Sequence, residues 1–315
     1  MKPSKPLRVG VIGVGAMGAR HARVYSQMPC VHLVGVLDKN RITASRVADA
    51  CLCRAFTCSE EFAEHGVEAV SIAVPTSQHA EVTLEAISCG IHVLVEKPLS
   101  DSVGVAESMI TAAYEASVCL MVGHVERFNP AVQKLKACIG EGLLGKVASM
   151  SARRMGPCSS RIQDVGVVLD LAIHDINVMT YLCDEAVSRV YSTSGIVVHA
   201  CEDYATLALT LGDKTTGLIE TNWLNPNRVR TLMVVGSKAV AVMDYIDMTL
   251  DIYDGDCHRR VVVEKNEPLR MELEHFATCC RDGVQPLIDG QSGAHAVAVG
   301  LAAMKSASTL QAVSL

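Results

Sequence analysis

Aromatic side chains are scarce in these 315 residues, at 4 % with a single tryptophan, so a core must be assembled from Val, Leu, Ile, Ala and Met. An excess of basic residues is also missing: 28 Lys and Arg stand against 34 Asp and Glu, for a formal net charge of −6. That balance argues against a nucleic-acid binder, whose footprint is a basic face or tail. It leaves room for an anionic small ligand met by local cations. No apolar run exceeds strand length, so no membrane span is expected. The start, Met1-Lys2-Pro3-Ser4-Lys5-Pro6, passes straight into a strand-like run, so no signal peptide is expected either. Metal-finger spacing is lacking among the 13 cysteines; neither Cys51-x-Cys53 nor the adjacent Cys279-Cys280 fits it. Reduced thiols in a cytoplasmic protein without a bound metal are the expectation.

What is present is an ordinary globular composition, half hydrophobic and a fifth charged, long enough for two domains. Residues 7–123 alternate apolar runs at 7–12, 31–37, 69–74, 91–95 and 119–122 with helical stretches to about 28 and at 41–51, 78–89 and 103–115. Strands apolar without alternation are buried on both faces, and their alternation with helices implies a parallel, doubly wound sheet. After residue 123 the pattern changes. A helix at 129–139 precedes alternating strand-like runs at 146–154, 187–198, 205–211, 216–223, 229–235 and 239–243, and helices are expected at 269–281 and 294–310. Short polar turns between those strands point to a mostly antiparallel sheet. The fold class is therefore α/β, with a dinucleotide-type domain at 1–123 and an α+β domain at 124–315. The last helix, about 291–311, can return to the first domain.

The first strand ends in Gly13-Val14-Gly15-Ala16-Met17-Gly18. A lone G-x-G-x-x-G is weak, but this one follows a strand, opens a helix and begins the parallel alternation. Gly13 allows the tight turn, Gly15 lets a pyrophosphate approach the backbone, and Gly18 lets helix and strand pack closely. The helix start offers free N–H groups to phosphates. Asp38 ends the second strand, 20 residues after Gly18, where a carboxylate can bind an adenosine ribose diol and repel a 2′-phosphate. NAD is therefore expected over NADP, with Arg41 able to soften the preference.

Glu96-Lys97-Pro98 follows another strand and sets Lys97 at the carboxyl edge of the sheet, where ligands bind in open α/β folds. An X-Pro bond there can be cis. Asp170 and His174 are four apart, and so share a face of a helical turn. Oxidising an alcohol needs a base for the hydroxyl proton, and a histidine changes charge in the right pH range. Each residue also has a plain structural reading: Lys97 as solvated surface, Asp170 as a helix cap, His174 as a satisfied interior imidazole.

The ordered set Gly13/Gly15/Gly18, Glu96-Lys97-Pro98 and Asp170-x-x-x-His174 resembles the Gfo/Idh/MocA family, the glucose–fructose oxidoreductase and inositol dehydrogenase relatives. The likeness extends to Gly123-His124-Val125-Glu126-Arg127-Phe128-Asn129-Pro130 and to Pro286-Leu287-Ile288-Asp289-Gly290. It implies an N-terminal Rossmann domain and a C-terminal domain whose open sheet forms a homodimer or homotetramer. It implies Lys97, Asp170 and His174 as the catalytic set, with His174 the proton acceptor. The cofactor set so read is Gly13, Val14, Gly15, Ala16, Met17, Gly18, Asp38, Pro75, Thr76, His79, Glu96 and Lys97, for NAD. Residues 123–130 are most similar to the branch that oxidises the 3-hydroxyl of UDP-N-acetylglucosamine. This adds Arg127, Asn129 and Arg154 to Lys97, Asp170 and His174 as substrate contacts, with Arg153, Arg161 and Arg228 as further cations for a diphosphate. A free-sugar or inositol dehydrogenase of the same family, and a non-catalytic NAD-sensing module, are the alternatives.

Overall fold

The computed structural model describes residues 5–158 and 165–315. The chain divides into two compact units, Met1–Gly123 with Leu269–Ala294, and His124–Pro268 with His295–Leu315. In the first, strands β1 (Leu7–Ile12), β2 (Val31–Leu37), β3 (Arg54–Phe56), β4 (Ala69–Ile72), β5 (His92–Glu96) and β6 (Leu120–Gly123) form one sheet in the order β3-β2-β1-β4-β5-β6. All its pairings are parallel. Val9, Val11, Val36, Val93, Leu94 and Val95 are fully buried, as strands covered on both faces require. Helices α1 (Ala16–Ser26), α2 (Arg41–Cys51), α3 (Glu60–Glu64), α4 (His79–Ser88) and α5 (Val103–Glu115) connect the strands. The strand order reverses between β1 and β4, the switch point at which such sheets bind ligands.

The segment that returns to this unit differs from the expected one. It is α8 (Pro268–Asp282), with only the start of α9 (Gly290–Thr309). Leu269, Leu273, Phe276 and Ala277 make the buried stripe of α8, at helical spacing. Beyond it the Val122 N–H donates to Ile288 O at 3.0 Å.

The second unit is built on nine strands in the order β14-β13-β12-β11-β7-β10-β9-β8-β15. They are β7 (Val147–Met155), β8 (Val187–Gly195), β9 (Tyr204–Leu211), β10 (Thr215–Asn222), β11 (Val229–Gly236), β12 (Val240–Asp244), β13 (Thr249–Asp254), β14 (Cys257–Val261) and β15 (Val313–Ser314). Among the described residues only β7 and β10 pair in parallel; the other ladders of this sheet are antiparallel. β13, β14 and β15 were not anticipated from the sequence. Alternation is clean: in β9, Ala205, Leu207, Leu209 and Leu211 are buried while Tyr204, Thr206 and Ala208 are exposed. Helices α6 (Pro130–Gly140), α7 (Ile173–Cys183) and α9 belong with the buried face, where Ser306 Oγ accepts the Ser192 N–H at 2.9 Å. On the opposite face the register sets Tyr191, Ala208, Leu218, Ser151, Met233 and Val242 in one row across six strands. Tyr191, Leu218, Met233 and Val242 there are all exposed. Among the described residues, no helix is long and apolar enough to cross a membrane.

One buried group of the first unit has a consequence for stability. Glu272, on the inner face of α8, is wholly inaccessible, and among the described residues neither carboxyl oxygen has a hydrogen-bond partner. Burial, and then the negative charge of Glu96, push its carboxyl well above the usual range. The folded chain therefore holds this proton more tightly than the unfolded chain does. The contribution is fully present below about pH 4 and is lost as the pH rises toward the folded value. Glu272→Gln removes that loss. The variant should melt higher than the wild type at alkaline pH, with the gap closing under acid, when thermal unfolding is followed across pH. A gap of the same size at every pH would contradict a protonated Glu272.

Candidate active site

The glycine turn has the shape its spacing requires. Gly13 takes φ +81°, and a Cβ there would lie 2.8 Å from the Ala73 backbone. At Gly18 a Cβ would come 1.8 Å from Gly13 O, so this glycine lets α1 close onto β1. Around Gly15 the corresponding space is open. Gly15 caps α1 without a side-chain hydrogen bond, which leaves the first-turn N–H groups at Ala16 and Met17 for a ligand. Asp38 reaches back to this turn: one carboxylate oxygen accepts the Val14 N–H at 2.8 Å and the other accepts the Asn40 N–H at 2.8 Å. Pro75 is exposed and Thr76 opens a short 3₁₀ turn (Thr76–Gln78) after β4.

Two expected cofactor contacts are corrected. His79 is buried, with Nδ1 2.9 Å from Pro98 O and Nε2 3.0 Å from Val74 O. Its ring is spent on the backbone, and burial lowers its pKa. Glu96 is also buried, its Oε1 3.0 Å from His21 Nε2 and its Oε2 accepting the Lys97 N–H at 3.2 Å. Burial opposes ionisation of Glu96, but His21 and the charges of Lys97 and His79 outweigh it and hold the carboxyl below the usual range. Its role is to brace the end of β5. Lys97 follows there, half-buried, with a cis bond to Pro98.

In the second unit, Asp170 sits on a five-residue π-helical turn (Val168–Ala172), and His174 lies in the first turn of α7, which follows directly. Single π turns of this kind often mark functional sites. Asp170 is 5 % exposed and its Oδ2 accepts the Trp223 Nε1–H at 3.2 Å. His174 is half-buried, and its ring stands perpendicular to that of buried His124, centroids 6.5 Å apart. His124, Trp223 and His21 had no assigned role in the sequence reading. His124 lies within the Gly123–Pro130 stretch and His21 just after the glycine turn, the signal that could have flagged them.

The expected substrate arginine is not at a surface. Arg154 is 1 % exposed. Its Nε and Nη2 donate to the two oxygens of Asp175 at 2.7 and 3.1 Å, and Nη1 donates to Glu126 Oε1 at 2.7 Å. The Tyr245 ring stacks 4.7 Å from the guanidinium carbon, and its hydroxyl donates to Asp175 at 3.1 Å. Asn129, buried, caps α6 through the Ala131 N–H at 3.0 Å and donates to Tyr245 O at 3.0 Å. Arg154 and Asn129 are thus corrected to structural roles. Arg127 is buried too, donating to Asn177 Oδ1 at 2.6 Å and stacking on Tyr181. Arg153 pairs with Glu220 at 3.0 Å on the open sheet face, Arg228 is exposed, and Arg161 lies outside the described residues.

Residues 7–124 match a family model described as an oxidoreductase family with an NAD-binding Rossmann fold, and residues 132–242 match the GFO/IDH/MocA C-terminal domain. The chain belongs to the Gfo/Idh/MocA oxidoreductases. It is 30 % identical to the UDP-N-acetylglucosamine 3-dehydrogenase of Acidithiobacillus ferrooxidans, over 94 % of this chain and 95 % of that one. The solved structure of that enzyme superposes with a TM-score of 0.90, covering 98 % and 100 % of the two chains. The myo-inositol 2-dehydrogenase of Thermotoga maritima is 26 % identical over 98 % of both chains. A levoglucosan dehydrogenase solved with NADH and levoglucosan, at 21 % identity, shares the fold with a TM-score of 0.90, covering 98 % and 99 % of the two chains.

The placement of Arg154 is open to a direct test. Arg154→Leu strands two buried carboxylates and should lower the unfolding free energy by about 3–5 kcal/mol, measured by urea denaturation. A variant as stable as the wild type would return Arg154 to the list of ligand contacts.

Proposed function

We propose that this chain is an NAD-dependent dehydrogenase that oxidises a secondary sugar hydroxyl to a ketone, with the 3-hydroxyl of UDP-N-acetylglucosamine as its substrate. The observation that carries the reading is the start of α7, where a braced carboxylate, Asp170, precedes a half-buried imidazole, His174, by four residues. His174 accepts the hydroxyl proton. Lys97 is the ammonium proposed to assist the loss of that proton, and Asp170 orients the sugar. The similarity to a dehydrogenase of that sugar nucleotide over nearly the whole chain supports the substrate.

The glycine turn fits a dinucleotide, with open space beside Gly15 and an uncapped helix start for the diphosphate. Asp38 favours NAD over NADP, since its charge repels a 2′-phosphate. When bound, the nicotinamide supplies the hydride acceptor. One observation favours a second reading, an inositol or free-sugar dehydrogenase. Arg154 is committed to Asp175 and Glu126, so one cation expected for a diphosphate is engaged elsewhere.

The reduced-nicotinamide absorbance should rise with NAD and UDP-N-acetylglucosamine, more slowly with NADP, and not with myo-inositol. The opposite substrate preference selects the second reading, and silence toward every sugar nucleotide and polyol removes both. Lys97→Met should lower kcat by about a hundredfold or more while NAD still binds in calorimetry. A variant with full turnover would remove Lys97 from the chemistry.

The open face of the nine-stranded sheet supports a homodimer or homotetramer, because its row of Tyr191, Leu218, Met233 and Val242 is apolar and exposed. Leu218→Glu should yield a smaller species by sedimentation velocity with an unchanged far-UV spectrum. An assembly that persists unaltered would move the contact elsewhere.

A further inference from the structure

The turn that carries Asp170 is held from two sides, by the loop between β8 and β9 and by the tryptophan that follows β10. At its start, the Val167 and Val168 N–H groups donate to Glu202 O at 2.9 Å and Glu202 Oε1 at 3.3 Å. A side chain at Gly166 would meet the Glu202 carboxyl. At its centre, Trp223 donates its indole N–H to Asp170 at 3.2 Å. The indole is itself fixed: its backbone N–H donates to Asp203 O at 2.8 Å, and the His199 ring lies 5.7 Å from it. The loop between β8 and β9 owes its shape to one buried carboxylate. Asp203 accepts the N–H groups of Val197, Val198 and His199 at 2.7–3.1 Å. Loop, indole and π turn therefore form one hydrogen-bonded unit that ends on a carboxylate.

We infer that Trp223, held by residues 196–203, is a positioning residue for the dehydrogenase reaction, fixing the Asp170 carboxylate through its indole N–H. The inference rests on the catalytic reading of Asp170 given above. An indole N–H donates and cannot accept or titrate in the working range, so it orients a carboxylate without competing for its proton. Loss of this bond would leave the carboxylate less well aimed at the reacting hydroxyl, a loss felt in turnover more than in cofactor binding.

Trp223 is the chain's single tryptophan, so biosynthetic replacement in a tryptophan auxotroph alters this one position. Benzothienylalanine keeps the bicyclic shape and exchanges N–H for sulfur. The labelled enzyme, and Trp223→Phe beside it, should lose about ten- to a hundredfold in kcat, as expected for one hydrogen bond to a charged acceptor. The KM for NAD and the melting temperature of the labelled enzyme should stay near wild type. Full kcat in the labelled enzyme overturns the inference, and so does a loss of kcat matched by equal loss of stability and NAD binding. Intrinsic fluorescence separates the inference from the reading it rests on. If no hydroxy substrate is turned over, the dehydrogenase reading fails. The contact is still tested by Asp170→Leu, which should shift the indole emission, and an unshifted spectrum overturns it.

Discussion

Arg154 carries a full charge almost without water around it, and the second unit is arranged to meet that charge. Asp175 takes two of its N–H groups, Glu126 a third, and the Tyr245 ring covers the guanidinium plane. These partners come from α7, from the 3₁₀ turn Val125–Phe128 and from the end of β12, while Arg154 itself is on β7. A buried ion cluster adds little net stability against an apolar replacement of equal volume, but removing one member is costly. Its effect is to allow one arrangement of those elements. Asp175 directly follows His174, and successive helical residues point about 100° apart. The bidentate contact that fixes the rotation of α7 thereby fixes the direction in which His174 can face.

The first unit uses the same device on a smaller scale. Glu96 ends β5 buried against His21 and holds the backbone N–H of Lys97, so the residue proposed to meet substrate rises from a braced strand end. Glu272 lies under the same sheet and has the opposite fate. Among the described residues its carboxyl oxygens have no partner, and burial with the charge of Glu96 raises its pKa well above the usual range. Two glutamates in one core are thus pushed in opposite directions, and Glu96 divides its two oxygens between the His21 ring and the Lys97 N–H.

What the sequence made legible was governed by local rules. The Gly13, Gly15 and Gly18 spacing, the unbroken apolar strands and the alternation in β9 each follow from backbone geometry within a few residues, and the parallel and mostly antiparallel sheets both followed from them. β13 and β14 escaped because Thr-Leu-Asp-Ile-Tyr-Asp buries only Leu250 and Ile252, too short an apolar face to register, and Cys-His-Arg-Arg-Val is polar and mostly outward-facing. Arg154 was misjudged for a deeper reason. Arg153 and Arg154 are adjacent in sequence, yet β pleating sends one to the open face with Glu220 and the other into the core with Asp175. Which of the two is buried depends on partners 21 and 67 residues away, a fact no local window contains. The loop before β9 was invisible on the same ground, since Asp203 and Glu202 read as ordinary surface acids until their backbone donors are seen.

The distribution of fixed and adjustable groups around α7 is itself informative. Asp175, Arg154, Asp203 and Trp223 are buried and fully engaged, and none has to change charge for the proposed chemistry. His174 is half-buried beside them and is the group proposed to take up the proton. A catalytic base must alter its protonation without reorganising its surroundings, because reorganisation would be added to the barrier. Anchoring Asp170 with an N–H that cannot titrate meets that requirement better than a hydroxyl or a second imidazole would. A hydroxyl could rotate its proton to another acceptor and an imidazole could gain or lose one, and the indole has neither option.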